Sequence, residues 1–113
     1  LPDFSSMSFR VPTPIVSSAV LNITTISPPK SPCDVLDVFE ERIANQTNDV
    51  FQVSADPLIS KDFIGSQYSC ILDSRWIDVD LKTGKIRLVL WYDNEYGYTS
   101  RVIDTIRMMC SEH

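Results

Sequence analysis

The spacing of apolar residues along the chain predicts two amphipathic helices. In the first helix, apolar positions recur at the three- and four-residue intervals of one face, at Val35, Leu36, Phe39 and Ile43. Ser31, Pro32 and Asp34 supply its start signal: a capping residue, a first-turn proline and an acidic partner three positions after the cap. The second helix is predicted at residues 95–111, with an apolar stripe formed by Tyr98, Val102, Ile106 and Met109 or Cys110.

Runs of β-branched and alternating residues predict strands at residues 8–16, 18–26, 51–53, 68–73, 76–81 and 86–92. The first contains Pro12 and Pro14, which cannot donate to a neighbouring strand, so we expect it at a sheet edge or a bulge. Gly84 supplies the residue that a tight hairpin needs between the last two strands. Residues 60–63 are predicted to form a loop or the start of a strand. The element order predicts an α+β fold, with a mixed or antiparallel sheet and helices on one face.

The composition describes one small, acidic domain. The chain has 113 residues, of which 43% are hydrophobic, and this argues against disorder. Its net charge of −5 argues against nucleic-acid binding, because an acidic chain gains nothing from displacing counterions. No apolar run approaches the roughly 18 residues that span a membrane, and no signal-peptide pattern is present. The first residue is Leu1 rather than Met, which indicates a fragment of a longer polypeptide or a processed chain.

The cysteines predict neither a metal site nor a disulfide framework. Cys33, Cys70 and Cys110 are odd in number and lack the spacing of metal ligands, and the single histidine is His113. Buried or idle thiols of this kind are typical of a reducing compartment. We therefore expect a cytoplasmic protein that binds no metal.

Two side chains are candidates for ligand contact from their positions alone. Arg10 lies in a predicted strand between apolar neighbours and offers a planar fork of donors suited to phosphate or carboxylate. The alternative, an arginine on the solvent face of a strand, is the commoner case. Asn94 follows a predicted strand, and its carboxamide could pair with another carboxamide. Alternatively, Asn94 caps the helix that follows it.

The other polar residues at the end of the last strand predict no reaction. Asp93 and Glu95 are adjacent at a helix start and point in different directions, which argues against an acid–base pair. The nearby aromatic residues are more readily explained by packing than by ligand contact; they are Tyr92, Tyr96 and Tyr98. The sequence shows no nucleophile beside a base, no phosphate-binding loop and no glycine-rich dinucleotide fingerprint. The residues alone therefore predict an α+β domain without a reaction.

Four segments resemble, in the same order, the closing part of glyceraldehyde-3-phosphate dehydrogenase. They are residues 7–14 (MSFRVPTP), 60–63 (SKDF), 91–98 (WYDNEYGY) and 101–104 (RVID). The octapeptide is highly specific, and the resemblance extends over nearly the whole chain. It implies that residues 1–113 are the C-terminal part of that family's catalytic domain, with the helix at 95–111 packed onto the NAD-binding domain.

The resemblance also implies roles for three residues. Arg10 matches the arginine that holds phosphate, either from substrate or as inorganic phosphate. Asn94 matches the asparagine that hydrogen-bonds the nicotinamide carboxamide of NAD, and Tyr98 matches a tyrosine close to the nicotinamide. The implied cofactor is NAD, and the implied ligands are phosphate or a triose phosphate.

The chain departs from the family's pattern in the residues that make the family an enzyme. The segment with the nucleophilic cysteine, its partner histidine and the Rossmann NAD-binding domain are absent from these 113 residues. Ile15 and Ser100 stand where the family usually has asparagine. The chain is therefore predicted to be a divergent relative, to carry no catalytic residue and to be inactive by itself.

Two hypotheses follow from this combination. In the first, the chain is the C-terminal segment of a phosphorylating, NAD-dependent oxidoreductase of glycolysis, which oxidises an aldehyde to an acyl phosphate in a cytoplasmic tetramer. In the second, it is a diverged, non-catalytic relative that acts as a structural or binding module. Both predict a partner for an unpaired sheet edge, either the remainder of the subunit or another copy of the chain.

Overall fold

The computed structural model describes residues 3–10 and 16–111, apart from the side chains of Phe4 and Arg10. The described part forms six strands, two α-helices and two short 3-10 turns at Ser60–Phe63 and Ser74–Trp76. The strands are β1 (Asp3–Arg10), β2 (Val16–Thr24), β3 (Phe51–Ser54), β4 (Cys70–Asp73), β5 (Asp78–Asp80) and β6 (Lys85–Asp93). The helices are α1 (Pro32–Ala44) and α2 (Tyr96–Ser111).

The six strands form one mixed sheet. Their order is β1-β2-β6-β4-β3, and β5 pairs with the first residues of β6, on Lys85 to Arg87. The strand pairs are antiparallel except for β3 with β4, which are parallel. The predicted α+β class with a mixed sheet is therefore confirmed.

Helix α1 covers one face of the sheet and forms the larger core. Its Val35 is 7% exposed and packs in a cluster with Leu72, Ile77, Ile86 and Leu88. The predicted capping box is present, since the Asp34 N–H donates to Ser31 Oγ (3.3 Å) and the Ser31 N–H donates to Asp34 Oδ2 (3.0 Å). The predicted first helix is thus confirmed at Pro32–Ala44.

A smaller core lies on the opposite face of the sheet. Successive residues of a strand point to opposite faces, so Leu72 faces α1 and its neighbour Ile71 faces away from it. Ile71 packs there with Val16 and Phe63. The Phe63 ring also stacks on Trp91 with centroids 5.3 Å apart, which holds the 3-10 turn of residues 60–63 against β6.

Two segments differ from the predicted structure because side chains bond to nearby backbone. Residues 60–63 form a 3-10 turn rather than a plain loop or strand start, since the Asp62 carboxylate accepts the Ile59 N–H (2.7 Å). The strand predicted at 76–81 is shortened to β5. The Asp73 carboxylate accepts the Arg75 N–H (3.3 Å) and begins a 3-10 turn that extends to Trp76, the first residue of the predicted strand.

The first two strands lie earlier in the chain than predicted. β1 begins at Asp3 and ends at Arg10, and β2 extends from Val16 to Thr24. Residues 11–15, with both prolines of the first predicted strand, lie outside the described residues. β1 is the outermost strand of the described sheet on its side, while β3, β4 and β6 lie within two residues of their predicted bounds.

The hairpin between β5 and β6 has the predicted glycine at its turn. Gly84 has a φ of +69°, a left-handed conformation that glycine adopts without steric cost. Its N–H donates to the Asp80 carbonyl (2.8 Å), which closes the turn. The predicted tight connection is therefore confirmed.

Helix α2 follows β6 and leaves its apolar residues uncovered within the described part of the chain. The predicted stripe is exposed at Tyr98, Val102, Ile106 and Met109. Neither α1 nor α2, the two helices of the described residues, is long and apolar enough to cross a membrane. The uncovered stripe is instead the kind of surface that a protein partner covers.

Candidate nicotinamide and phosphate site

The three residues implied as ligand contacts lie at one end of the sheet. Arg10 ends β1 and pairs with Ser17 of β2, which pairs with Tyr92 of β6. Adjacent strands lie about 4.8 Å apart, so the backbones of Arg10 and Tyr92 are separated by roughly 10 Å. Asn94 and Tyr98 follow β6 directly. The fold therefore brings the Arg10 backbone to the sheet end where both are placed.

The position of Arg10 is known from its backbone register. Its side chain belongs to the part that the structure leaves undescribed, and so does the whole of Ile15. The phosphate contact of Arg10 consequently stays a prediction, and the register places only its backbone near the strand end that precedes Asn94.

The carboxylate of Asp93 organises the connection from β6 to α2. Oδ1 accepts the backbone N–H of Glu95 (2.9 Å) and of Tyr96 (2.8 Å), and Oδ2 accepts the N–H of Gly65 (2.9 Å). Asp93 is 3% exposed. It therefore caps the start of α2 and also ties this connection to the loop that follows the 3-10 turn of residues 60–63.

Asn94 does not cap α2, so that alternative is wrong. The cap is the preceding Asp93, whose side chain accepts the first free N–H groups of the helix. Within the described residues, the Asn94 carboxamide forms no hydrogen bond. It is half-buried and remains available to a ligand.

Asn94 and Tyr98 line the same groove. This open depression of about 340 Å³ is bounded by Ser69, Tyr92, Asp93, Asn94, Tyr98 and Arg101. Residues four apart at a helix start lie on one side, which explains why Asn94 and Tyr98 meet here. The Tyr98 side chain is 73% exposed, so packing within the described residues does not account for it. The groove combines the Asn94 carboxamide with an exposed aromatic ring.

Two residues that the sequence did not single out hold α2 beside this groove. Gly97 has no side chain, and a Cβ there would stand 2.8 Å from the Tyr68 carbonyl oxygen. Arg101 donates to the Asp49 carbonyl (2.7 Å) and forms an ion pair with Asp104 (2.8 Å). A glycine in the first turn of a predicted helix was the available signal for the close approach. The Arg101 contact depends on tertiary structure and had no local signal.

A family model for the C-terminal domain of glyceraldehyde 3-phosphate dehydrogenase matches residues 1–94. The chain belongs to the glyceraldehyde-3-phosphate dehydrogenase family. The resemblance of the chain to this family is thereby confirmed.

Individual glyceraldehyde-3-phosphate dehydrogenases agree with this assignment. The chain is 38% identical over 107 residues to that of Kitasatospora aureofaciens and 37% identical over 107 residues to the cytosolic protein of Ginkgo biloba. It is 35% identical over 108 residues to the testis-specific protein of Mus musculus. Each match covers 95% of this chain but only 31%, 31% and 24% of the respective relative. The chain thus spans about a third or less of the curated relatives it matches.

The three cysteines of the chain differ in their exposure. Cys33 and Cys110 are exposed, and Cys70 is partly buried. Burial raises the pKa of the Cys70 thiol to about 11, so it is protonated at neutral pH. Within the described residues, no group of three or more His, Cys, Asp and Glu side chains is placed to hold a metal ion.

The ionisation of Asp93 makes its contribution to the stability of the fold depend on pH. Burial alone would raise the pKa of Asp93, but the N–H groups of Tyr96, Gly65 and Glu95 favour the carboxylate and lower the pKa below its ordinary 3.8. The pKa in the folded state is therefore below that in the unfolded state. Asp93 stabilises the fold fully above about pH 4, and this stabilisation is lost as the pH falls through the folded-state value.

We predict that Asp93→Asn flattens the acid dependence of stability. The free energy of unfolding should fall less between about pH 4 and pH 2 in the variant than in the parent, because the variant cannot gain this proton. Urea unfolding of the dilute chain, followed by tryptophan fluorescence at a series of pH values, measures the difference. Asp37→Asn, at an exposed residue of α1, is the control. Parallel profiles for parent and Asp93→Asn would contradict the prediction.

Proposed function

We propose that this chain is the C-terminal segment of the catalytic domain in a phosphorylating, NAD-dependent glyceraldehyde-3-phosphate dehydrogenase subunit. The observation that carries the proposal is the Asn94 carboxamide, which makes no hydrogen bond within the described residues and lies in the groove with Tyr98. Membership of the family supports the same conclusion. The match to the Kitasatospora aureofaciens relative also covers only 31% of that protein's length. In this proposal the chain contributes phosphate and nicotinamide contacts, and the nucleophile and base lie elsewhere in the subunit.

Asn94 and Tyr98 suit the nicotinamide end of NAD. A carboxamide donates and accepts, so Asn94 can form a complementary pair with the nicotinamide carboxamide. The exposed Tyr98 ring offers an apolar face to a planar ring. Bound NAD supplies the hydride acceptor, and these two residues would orient its ring. Arg101, the cation of the groove, is already paired with Asp104, so we expect the pyrophosphate to bind outside this chain.

We predict that Arg10→Ala weakens the binding of inorganic phosphate or sulfate in the full-length subunit that carries this segment. The loss should be roughly tenfold or more, because hydrogen bonds to charged groups contribute about 1.5–3 kcal/mol each. Titration calorimetry measures it. Arg87→Ala is a matched control, since Arg87 is an exposed arginine paired with Asp78 (2.6 Å) toward the other end of β6. Unchanged anion affinity in Arg10→Ala would remove this residue from the site.

The partners proposed for this segment are the remainder of the dehydrogenase subunit and further copies of it in a tetramer. A cytoplasmic location is proposed with them, and the Ginkgo biloba relative is named as cytosolic. The substrate class proposed for the whole subunit is a triose phosphate aldehyde, oxidised with phosphate to an acyl phosphate in glycolysis.

Native mass spectrometry of the purified particle, together with the intact mass of each denatured polypeptide, tests the proposal. A longer polypeptide or an N-terminal companion is the expected result, and it would make the roles of Arg10 and Asn94 testable by turnover. A particle built only from the 12.8 kDa chain would exclude catalysis. It would favour the alternative, a non-catalytic structural or binding module.

A further inference from the structure

We propose that Asp93 is a positioning residue for the nicotinamide contact of Asn94. In this view, its carboxylate closes the backbone turn around Asn94 and anchors that turn to Gly65. The inference rests on the proposed function, because it takes Asn94 as the residue that meets the nicotinamide.

Hydrogen bonds to Asp93 close the backbone around Asn94. Asp93 Oδ1 accepts the N–H of Glu95 at 2.9 Å, so the bond spans Asn94 and encloses it in an Asx turn. The same oxygen accepts the N–H of Tyr96 at 2.8 Å. The backbone on the C-terminal side of Asn94 is therefore held by the residue on its N-terminal side.

Within the described residues, the Asn94 side chain has no hydrogen bond of its own to hold it. Its carboxamide forms no hydrogen bond there, so the direction of this side chain depends on the backbone that carries it. Contacts that orient a ligand must hold it closely, and small displacements lower their effect. The turn closed by Asp93 supplies that backbone constraint.

Helix capping alone does not account for the bonds of Asp93. Asp93 Oδ2 accepts the N–H of Gly65 at 2.9 Å, and Gly65 belongs to a distant loop rather than to α2. That loop follows Phe63, whose ring stacks on Trp91 of β6. A serine could cap the helix as well as an aspartate, but its shorter side chain would not also reach Gly65. The carboxylate thus joins the start of α2 to the loop at Gly65.

The test compares NAD with ADP-ribose, which is NAD without its nicotinamide, by titration calorimetry in the full-length subunit. Asn94→Ala should lower the affinity for NAD roughly tenfold and leave the affinity for ADP-ribose within about twofold of the parent value, as expected for a lost hydrogen bond to the ligand. Asp93→Asn keeps the size of the side chain and one acceptor oxygen. Its amide NH2 would replace the oxygen that accepts the Gly65 N–H, so that this bond is lost. We expect this variant to lower the affinity for NAD roughly fivefold, again with the affinity for ADP-ribose nearly unchanged.

Asp93→Ser is the second variant, since it retains a helix cap and loses the Gly65 bond. The control is Asp34→Asn, which alters another carboxylate that accepts two backbone N–H groups at a helix start, those of Lys30 and Ser31, in α1. It should leave the ratio of NAD to ADP-ribose affinity unchanged. Hydrogen exchange of the Gly65 amide provides a readout besides cofactor binding and should accelerate in both Asp93 variants.

The outcomes separate this inference from the proposed function. If Asn94→Ala lowers the NAD to ADP-ribose ratio and neither Asp93 variant does, the positioning role fails and the nicotinamide contact stands. If Asn94→Ala leaves the ratio unchanged, the nicotinamide contact itself fails, and the inference with it. Loss of folding in both Asp93 variants would show a purely structural residue and would also overturn the positioning role.

Discussion

Replacing Gly97 with alanine should destabilise the chain by about 1–3 kcal/mol, the usual cost of forcing an extra methyl group into a packed region. A Cβ at residue 97 would stand 2.8 Å from the Tyr68 carbonyl oxygen and 3.4 Å from the Ser69 Cα. Both are backbone atoms and cannot rotate aside, so α2 or the segment at residues 68–69 has to move. Alanine favours a helix over glycine by roughly 1 kcal/mol, so a measured loss would mean that the clash outweighs this gain.

Urea unfolding of the dilute chain, followed by tryptophan fluorescence, measures the effect of Gly97→Ala. Thr105→Ala is the matched control, because Thr105 is exposed on the same helix and its hydroxyl donates to the Arg101 carbonyl within that helix (2.9 Å). The control should change the midpoint little. An unchanged or higher midpoint for Gly97→Ala would show that α2 does not press against residues 68–69 in solution.

The helices were the part of the fold that local sequence predicted best. For α1, the capping pair Ser31 and Asp34, the proline between them and the apolar stripe agree with one another. The turn at Gly84 was equally clear, because a left-handed residue between two strands requires a glycine or a close substitute. Such signals lie within a few residues and depend little on the rest of the chain.

The strand arrangement was less predictable because pairing partners lie far apart in the sequence. No local sequence signature marks the parallel pairing of β3 with β4. None marks the edge of β6 that pairs with both β4 and β5. The shortening of β5 follows from the Asp73 carboxylate, which bonds to Arg75 and Trp91 rather than letting the strand begin. A short polar side chain can divert a backbone from a strand, and sequence periodicity does not record when it does.

In the site, the sequence could not distinguish which of two adjacent residues caps α2. Aspartate and asparagine are comparable helix caps, so the interpretation of Asn94 as the cap applied equally well to Asp93. The Asp93 carboxylate also accepts the Gly65 N–H (2.9 Å), while the Asn94 carboxamide forms no hydrogen bond within the described residues. This contact is tertiary and could not be read from neighbouring residues. The nearness of Arg10 to Asn94 likewise comes from strand register alone.

The chain alone should self-associate, because two apolar surfaces of the described residues are uncovered. Met7 and Phe9 are exposed on the outermost strand β1, whose free edge can pair with another strand. On α2, Ile106 is 53% exposed and Met109 is 62% exposed. Burying such side chains contributes roughly 1.5–3 kcal/mol each. We therefore expect particles well above the 12.8 kDa of one chain.

Sedimentation velocity over a range of concentrations measures this association. The double variant Ile106→Lys with Met109→Lys should shift the population toward monomer, because two charges on one stripe would oppose its burial. Met7→Lys tests the strand edge separately, since a lysine on an edge strand opposes pairing. Val38→Lys is the control, because Val38 is exposed on α1, an element that belongs to neither surface. A monodisperse, cooperatively melting monomer of the parent chain would show that neither surface needs a partner.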